Sequence, residues 1–223
     1  MYEQHWRYMQ RIVQLGDGPN LYARYNTNLS RIDYKGVNLF SDILTHIRDW
    51  QVCASIDGTY GVGEYIRTGL KYDEWYDNFK AGVWHAKHKR QMRIDFTLTL
   101  PGLWEVPAIC LLAEQLGVDI LAKVTFAFTP DIAMSPLFLP RKHLDKVVNE
   151  LLLTTGVNNV TMRNMLKSLL ERPTFEEQWP EEYAKGRTKG KWRMNNIDHT
   201  RGGMQFRDTL RDAEIKEWWD GIL

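Results

Sequence analysis

The feature that most constrains this chain is the regular exchange of hydrophobic period along its first 128 residues. Trp6, Met9, Ile12 and Val13 recur at helical spacing, and Gly16 supplies the stop. "NLYARYNTN" (20–28) reads as a strand, with Leu21, Ala23 and Tyr25 on one face and turn-forming Asn26-Thr27-Asn28 at its end. "FSDILTHIRDW" (40–50) predicts a short helix running into the strand "QVCASID". "YDEWYDNFKAGVWHAKH" (72–88) places Trp75, Phe79, Val83 and Trp84 on a helical stripe. "MRIDFTLTLPG" (92–102) alternates at period two until Pro101-Gly102. "LWEVPAICLLAEQLG" (103–117) is a helix with Pro107 in its first turn, and "DILAKVTFAF" (119–128) a fourth strand. This order predicts an α/β fold of βα units with a mostly parallel sheet. Four strands cannot close an eight-stranded barrel. An open sheet or part of an incomplete barrel remains, and in both ligands bind at the C-terminal ends of strands.

The texture changes after residue 135, which divides the chain into a domain of residues 1–135 and an extension of 136–223. Helices are expected at 140–153 and 161–171, the second capped by Thr161. "RPTFEEQWPEEYAKGRTKGKWRMNNIDHTRGG" is polar, aromatic and broken by Pro and Gly. It reads as irregular, with one helix at 174–185. "DAEIKEWWDGIL" is a last amphipathic segment. Charge is balanced, 29 basic against 28 acidic residues, which argues against a chain whose main task is gripping nucleic acid. No apolar run approaches the ~20 residues of a membrane span. "MYEQHWRYMQ" has no signal core, so a cytoplasmic protein is expected. Cys53 and Cys110 are the only cysteines and are expected as buried thiols.

Chemistry concentrates in "QVCASIDGTYGVGEYIR" (51–67). Ser55 and Asp57 stand two apart at a strand's end and so share a face. A carboxylate and a hydroxyl suit the vicinal hydroxyls of a ribose. The glycines that follow form a loop that lets backbone approach a ligand. Arg67 offers a planar fork for a carboxylate or phosphate. The alternative is an ordinary Asp-Gly turn with Arg67 on a solvated helix face. Asn28, ending the preceding strand, would project near Ser55 and Asp57 in a parallel sheet; alone it reads as a turn residue. Glycines 58, 61 and 63 do not make GxGxxG, and no GK[ST] follows. His85 and His88 are neighbours on one helical face, but the cations of "HAKHKR" disfavour a metal. "KGRTKGKWR" (185–193) reads as a basic solvated loop or a contact to a peptide, RNA or acidic partner. His199 is structural by default.

Taken in order, Thr27-Asn28, Ser55-Ile56-Asp57-Gly58, Tyr65-Ile66-Arg67, Trp75, Asn78 and the tail "NNIDHTRGGMQFRDTL" resemble the radical S-adenosylmethionine superfamily, in particular its twitch-domain group. The resemblance spans most of residues 3–212. It implies a partial (β/α)6 barrel. In that barrel S-adenosylmethionine lies across the strands' C-terminal ends on a [4Fe–4S] cluster, and its reductive cleavage yields a 5′-deoxyadenosyl radical. It further implies that Ser55 and Asp57 contact the ribose, that Arg67 meets the cofactor's carboxylate and that Asn28 floors the site. The cluster loop CxxxCxxC is missing, as is the Gly-Gly-Glu stretch ending the second strand. Residues 1–17 then correspond to the helix after strand two, and the chain keeps strands three to six. The expected partner is an upstream half of the barrel or another chain that supplies it; the expected substrate class is a peptide or protein. The extension has no cysteines for an auxiliary cluster. Two other functions stay open: a cluster-free nucleoside- or peptide-binding module, and an inert scaffold.

Overall fold

The computed structural model describes residues 3–126 and 132–222. Its Cα packing falls into two compact units, one of residues 1–56, 69–95 and 113–121, the other of 57–68, 96–112 and 122–223. The fold is α/β. A four-stranded parallel sheet is built from β1 (Tyr22–Thr27), β4 (Asp49–Ile56), β5 (Met92–Leu98) and β6 (Asp119–Val124), in the order β1-β4-β5-β6. β1 pairs with β4 from Tyr22↔Asp49 to Thr27↔Ala54 and is the edge strand. The four expected strands are thus present. The strand expected over 119–128 ends at Val124, and its residues 127 and 128 lie outside the described residues.

In the first unit, α1 (Glu3–Leu15) buries Trp6 and Met9 and ends at Gly16, whose φ of +75° favours glycine. A two-stranded hairpin follows, β2 (Asp33–Tyr34) with β3 (Val37–Asn38), which the sequence reading missed. Its turn is Lys35-Gly36, both at positive φ, and Tyr34 stacks on Trp6 at 5.8 Å. The helix expected at 40–50 is instead a π-turn, Leu39–Ile43, and a 3₁₀ turn, Leu44–His46. Asn38 caps it by accepting from the backbone N–H groups of Phe40 and Ser41, and Leu39, Phe40 and Ile43 point inward. Because this segment is short, β4 begins already at Asp49. α3 (Tyr72–His85) stacks Trp75 on Phe79 at 5.0 Å. Gly82 is required there, since a Cβ would lie 2.6 Å from both Phe40 and Met92. Trp84, placed on the buried stripe from sequence, is 86% exposed. His88 lies past the helix end rather than on a helical face with His85.

In the second unit, two expectations fail. The glycine-bearing segment after Asp57 is a helix, α2 (Tyr60–Ile66), not a loop. The tail from 180 is a 22-residue helix, α8 (Pro180–Arg201), which includes the basic stretch 185–193. Pro180 at its first position, Glu181 and Glu182 in the first turn and His199 and Arg201 in the last complement the helix dipole. Gly186 and Gly190 do not break it; at Gly190 a Cβ would meet Ile132 at 2.7 Å, so the glycines admit a close neighbour. α4 (Val106–Leu116) carries Pro107 in its first turn as expected. α5 (Arg141–Leu153) is followed by α6 (Val160–Glu171), whose cap is Asn159, accepting from Met162 N at 3.2 Å, and not Thr161. α7 (Phe175–Gln178), α9 (Phe206–Thr209) and α10 (Ala213–Asp220) complete the unit. Phe138, Phe206 and Trp219 anchor its core, with Phe206 and Trp219 at 4.4 Å. Both cysteines are buried thiols, Cys53 in β4 and Cys110 in α4.

Candidate functional site

Asp57 follows the last residue of β4, so it stands at the C-terminal end of a parallel strand. Its carboxylate is 9% exposed and holds Arg67. Nη2 of Arg67 donates to Oδ1 at 3.0 Å. Nε lies 2.8 Å from Oδ2, close enough for an ion pair but outside hydrogen-bond alignment. The backbone N–H of Thr97 in β5 also donates to Oδ1, at 3.3 Å. Arg67 is the residue at which α2 ends, so the seven residues of α2 return the chain to the strand end it left.

The turn between Asp57 and α2 is built tightly. Gly102 must be glycine, since a Cβ would fall 2.4 Å from the Asp57 carbonyl oxygen. Thr59, which starts α2, leaves its usual capping bond unmade. Its N–H donates to Glu105 Oε2 at 2.9 Å, and its hydroxyl donates to the same oxygen. Glu105 is 1% exposed and is paired on its other oxygen with Arg211. On the far side of α2, Tyr65 donates to Asp198 Oδ1 at 2.7 Å, and Arg201 donates to the Tyr65 carbonyl at 2.6 Å. Burial, then the hydrogen bond to Asp198, pushes the Tyr65 phenol well above its ordinary range. A pocket of about 250 Å³ opens here, walled by Tyr65, Ile66, Met134 and Ile197, with Arg193 and Arg201 on its rim.

The other two predicted residues belong to the first unit. Ser55, in β4, donates to Asp95 Oδ2 on β5 at 3.2 Å. Asn28 follows β1 and is exposed. Its neighbour Leu29 adopts φ +49°, donates from its N–H to Thr27 Oγ1 at 3.1 Å and accepts from Asn78 Nδ2 at 2.8 Å. Asn78 therefore holds the turn after β1. Asp57 and Arg67 are brought together; Ser55 and Asn28 each have their own partners.

No protein-family model, curated protein or solved structure matches this chain. What the site can do is therefore argued from its own groups. The sequence reading named Asp57 and Arg67, quoted Asp198 and Arg201 only within the tail stretch and without a role, and did not single out Glu105 or Arg211. Glu105 carries one signal, an acid in the first turn of an apolar helix segment; the other three meet their partners only through the fold.

A [4Fe–4S] cluster does not fit this chain. Such a cluster takes cysteine thiolates as ligands, and the sequence has two cysteines. Both are buried, and burial pushes the Cys110 thiol up, away from the thiolate form. Among the described residues no three His, Cys, Asp or Glu side chains are grouped to hold a metal ion. S-adenosylmethionine asks for other donors, an acceptor for ribose hydroxyls and a cation for a carboxylate, and Asp57 and Arg67 are of those types.

Proposed function

We propose that this chain is the part of a radical S-adenosylmethionine barrel comprising strands three to six, and that Asp57 and Arg67 belong to its cofactor cradle. One observation carries the reading: a buried carboxylate stands directly beyond a parallel strand and is joined to an arginine ten residues on. Ligands of open α/β sheets bind outside the carboxyl ends of strands. In this reading binding exchanges one ion pair for two ligand contacts. Arg67 turns to the ligand's carboxylate, and Asp57 accepts from the ribose hydroxyls. S-adenosylmethionine serves as a source of a 5′-deoxyadenosyl radical only beside a reduced cluster, whose thiolates must come from an upstream half or a partner chain. In this reading the protein acts in the cytoplasm on a peptide or protein. Among the described residues no helix is long and apolar enough to cross a membrane.

The test is titration of S-adenosylhomocysteine and adenosine against wild type, Asp57→Ala and Arg67→Ala, with the upstream half supplied. A charge-assisted hydrogen bond contributes about 1.5–3 kcal/mol, so Asp57→Ala should weaken both ligands about tenfold or more. Arg67→Ala should weaken S-adenosylhomocysteine alone, because adenosine lacks the carboxylate and gains an Asp57 free of its competitor. Equal loss of both ligands in the arginine variant would remove its role. No binding by wild type would remove the site.

A second reading, a cluster-free nucleoside- or peptide-binding module, is favoured by the burial of both thiols. Binding of S-adenosylhomocysteine by the chain alone, unchanged when the upstream half is added, would select it.

A further inference from the structure

In the first unit a second pocket lies at the opposite end of β4 from Ser55. Its volume is about 890 Å³, and Tyr22, Asp49, Lys89, Arg90, Arg93 and Asp119 are among its walls. That is room for a metabolite-sized ligand. Three cations face two carboxylates. Lys89 and Arg90 sit in a hydrogen-bonded turn, and Arg93 in β5. Gln91, 1% exposed, accepts from Lys87 N at 2.6 Å and donates from its own N–H to the His88 carbonyl. Val52 N donates to the Gln91 carbonyl at 2.7 Å, and Gln51 Nε2 to the Arg90 carbonyl at 3.0 Å. Lys89 and Arg90 thus project from a turn fastened to β4.

The carboxylates do not neutralise these cations. Asp49 Oδ1 is committed to Trp50 N at 2.8 Å, Gln91 Nε2 at 2.8 Å and His88 Nε2 at 3.2 Å. Burial raises the Asp49 carboxyl, but its bonds from Gln91, Trp50 and His88 outweigh this and leave it below the usual range. Among the described residues no ion pair joins Asp49 or Asp119 to Lys89 or Arg90. Arg93 lines the same pocket from β5. Three cations around one open pocket repel one another, and a multiply charged anion from outside the chain offsets that repulsion.

We propose that this pocket binds a phosphorylated small molecule, with its phosphates on Arg93, Lys89 and Arg90 and its organic part against the half-exposed ring of Tyr22. Arginine forks and lysine point charges are the usual phosphate donors. The site is separate from Asp57 and Arg67 and does not depend on their assignment.

The experiment is calorimetric titration of pyrophosphate and ADP into the whole chain, at low salt and at about 0.15 M salt, where surface charges are screened beyond roughly 8 Å. Wild type should bind both, ADP more tightly, with affinity falling as salt rises. Arg93→Gln should lose about tenfold or more. The doubly substituted Lys89→Ala, Arg90→Ala chain, altered only at exposed positions, should keep its circular dichroism spectrum and lose as much. Absence of binding by wild type, or unchanged affinity in the double variant, would overturn the site. ADP binding no better than pyrophosphate would overturn the organic part of the assignment. If Arg93→Gln unfolds, the double variant decides.

Discussion

Tyr65 donates a hydrogen bond of 2.7 Å to Asp198, a residue 133 positions further along the chain. Asp198 also accepts from the Phe206 backbone N–H, at 3.1 and 3.0 Å on its two oxygens. One carboxylate thereby joins α2, the end of α8 and the start of α9. Arg201 repeats the connection through the Tyr65 carbonyl. The tail is therefore what holds the helix that presents Arg67.

Removing the phenol should test that hold. Tyr65→Phe keeps the ring and leaves Asp198 one donor short. A hydrogen bond to a charged group contributes about 1.5–3 kcal/mol, and the loss in urea unfolding should fall in that range. Asp198→Asn keeps an oxygen for the Phe206 N–H but weakens the bond from Tyr65, so it should cost no more than Tyr65→Phe, and the double variant little more than Tyr65→Phe alone. Additive losses would show that the pair is not coupled.

Glu105 should be the most sensitive acid in the second unit. It is 1% exposed and serves Thr59 and Arg211 at once. Glu105→Ala leaves buried donors unpaired and an arginine without its partner. Breaking such a pair by removing one member costs about 3–5 kcal/mol. Arg211→Ala should cost less, since the Glu105 carboxylate keeps both donors of Thr59 and the space left by the half-exposed arginine admits water. Chemical denaturation of the two variants would give the order, and a reversed order would refute it.

Gly102→Ala should disturb the Asp57 turn without touching a charge. The new methyl would lie 2.4 Å from the Asp57 carbonyl oxygen, which is backbone and cannot swing aside. Overpacking of this kind costs about 1–3 kcal/mol. A thermal midpoint equal to wild type would mean that the turn relaxes freely.

Acid stability should depend on Glu177. Hydrogen bonds from Arg141, then from the Thr174 backbone N–H, hold its carboxyl down at about 2, against an ordinary 4.5. A depressed folded pKa gives stability that is present above 4.5 and lost as pH falls toward 2. The pair is half-exposed, with side chains 27% and 41% accessible, so screening limits its contribution to about 1 kcal/mol. Arg141→Ala should flatten the stability–pH curve in that window. A curve of unchanged slope between pH 5 and 2 would remove the assignment.

The sequence by itself determined the sheet and most of its helices. Period-two and helical repeats lie within each segment, so α1, β1, α3, β5, α4, α5 and α6 were legible from neighbours alone. Asp57 and Arg67 were legible for the same reason: both belong to one short stretch, and a break at Asp-Gly after an apolar run marks a strand end. Tertiary structure decided the rest. Gly61 and Gly63 read as a loop, yet α2 forms because Thr59 is anchored on Glu105, 46 residues away. Gly186 and Gly190 read as breakers, yet α8 runs through them because Ile132 occupies the space a side chain would need. Trp84 has the polarity of a core residue and is exposed, since the stripe that α3 buries is set by Trp75 and Phe79. Local pattern fixes what a segment prefers; whether a glycine frees the backbone or admits a neighbour, and whether a carboxylate meets a ligand or an arginine, depends on residues that only folding brings close.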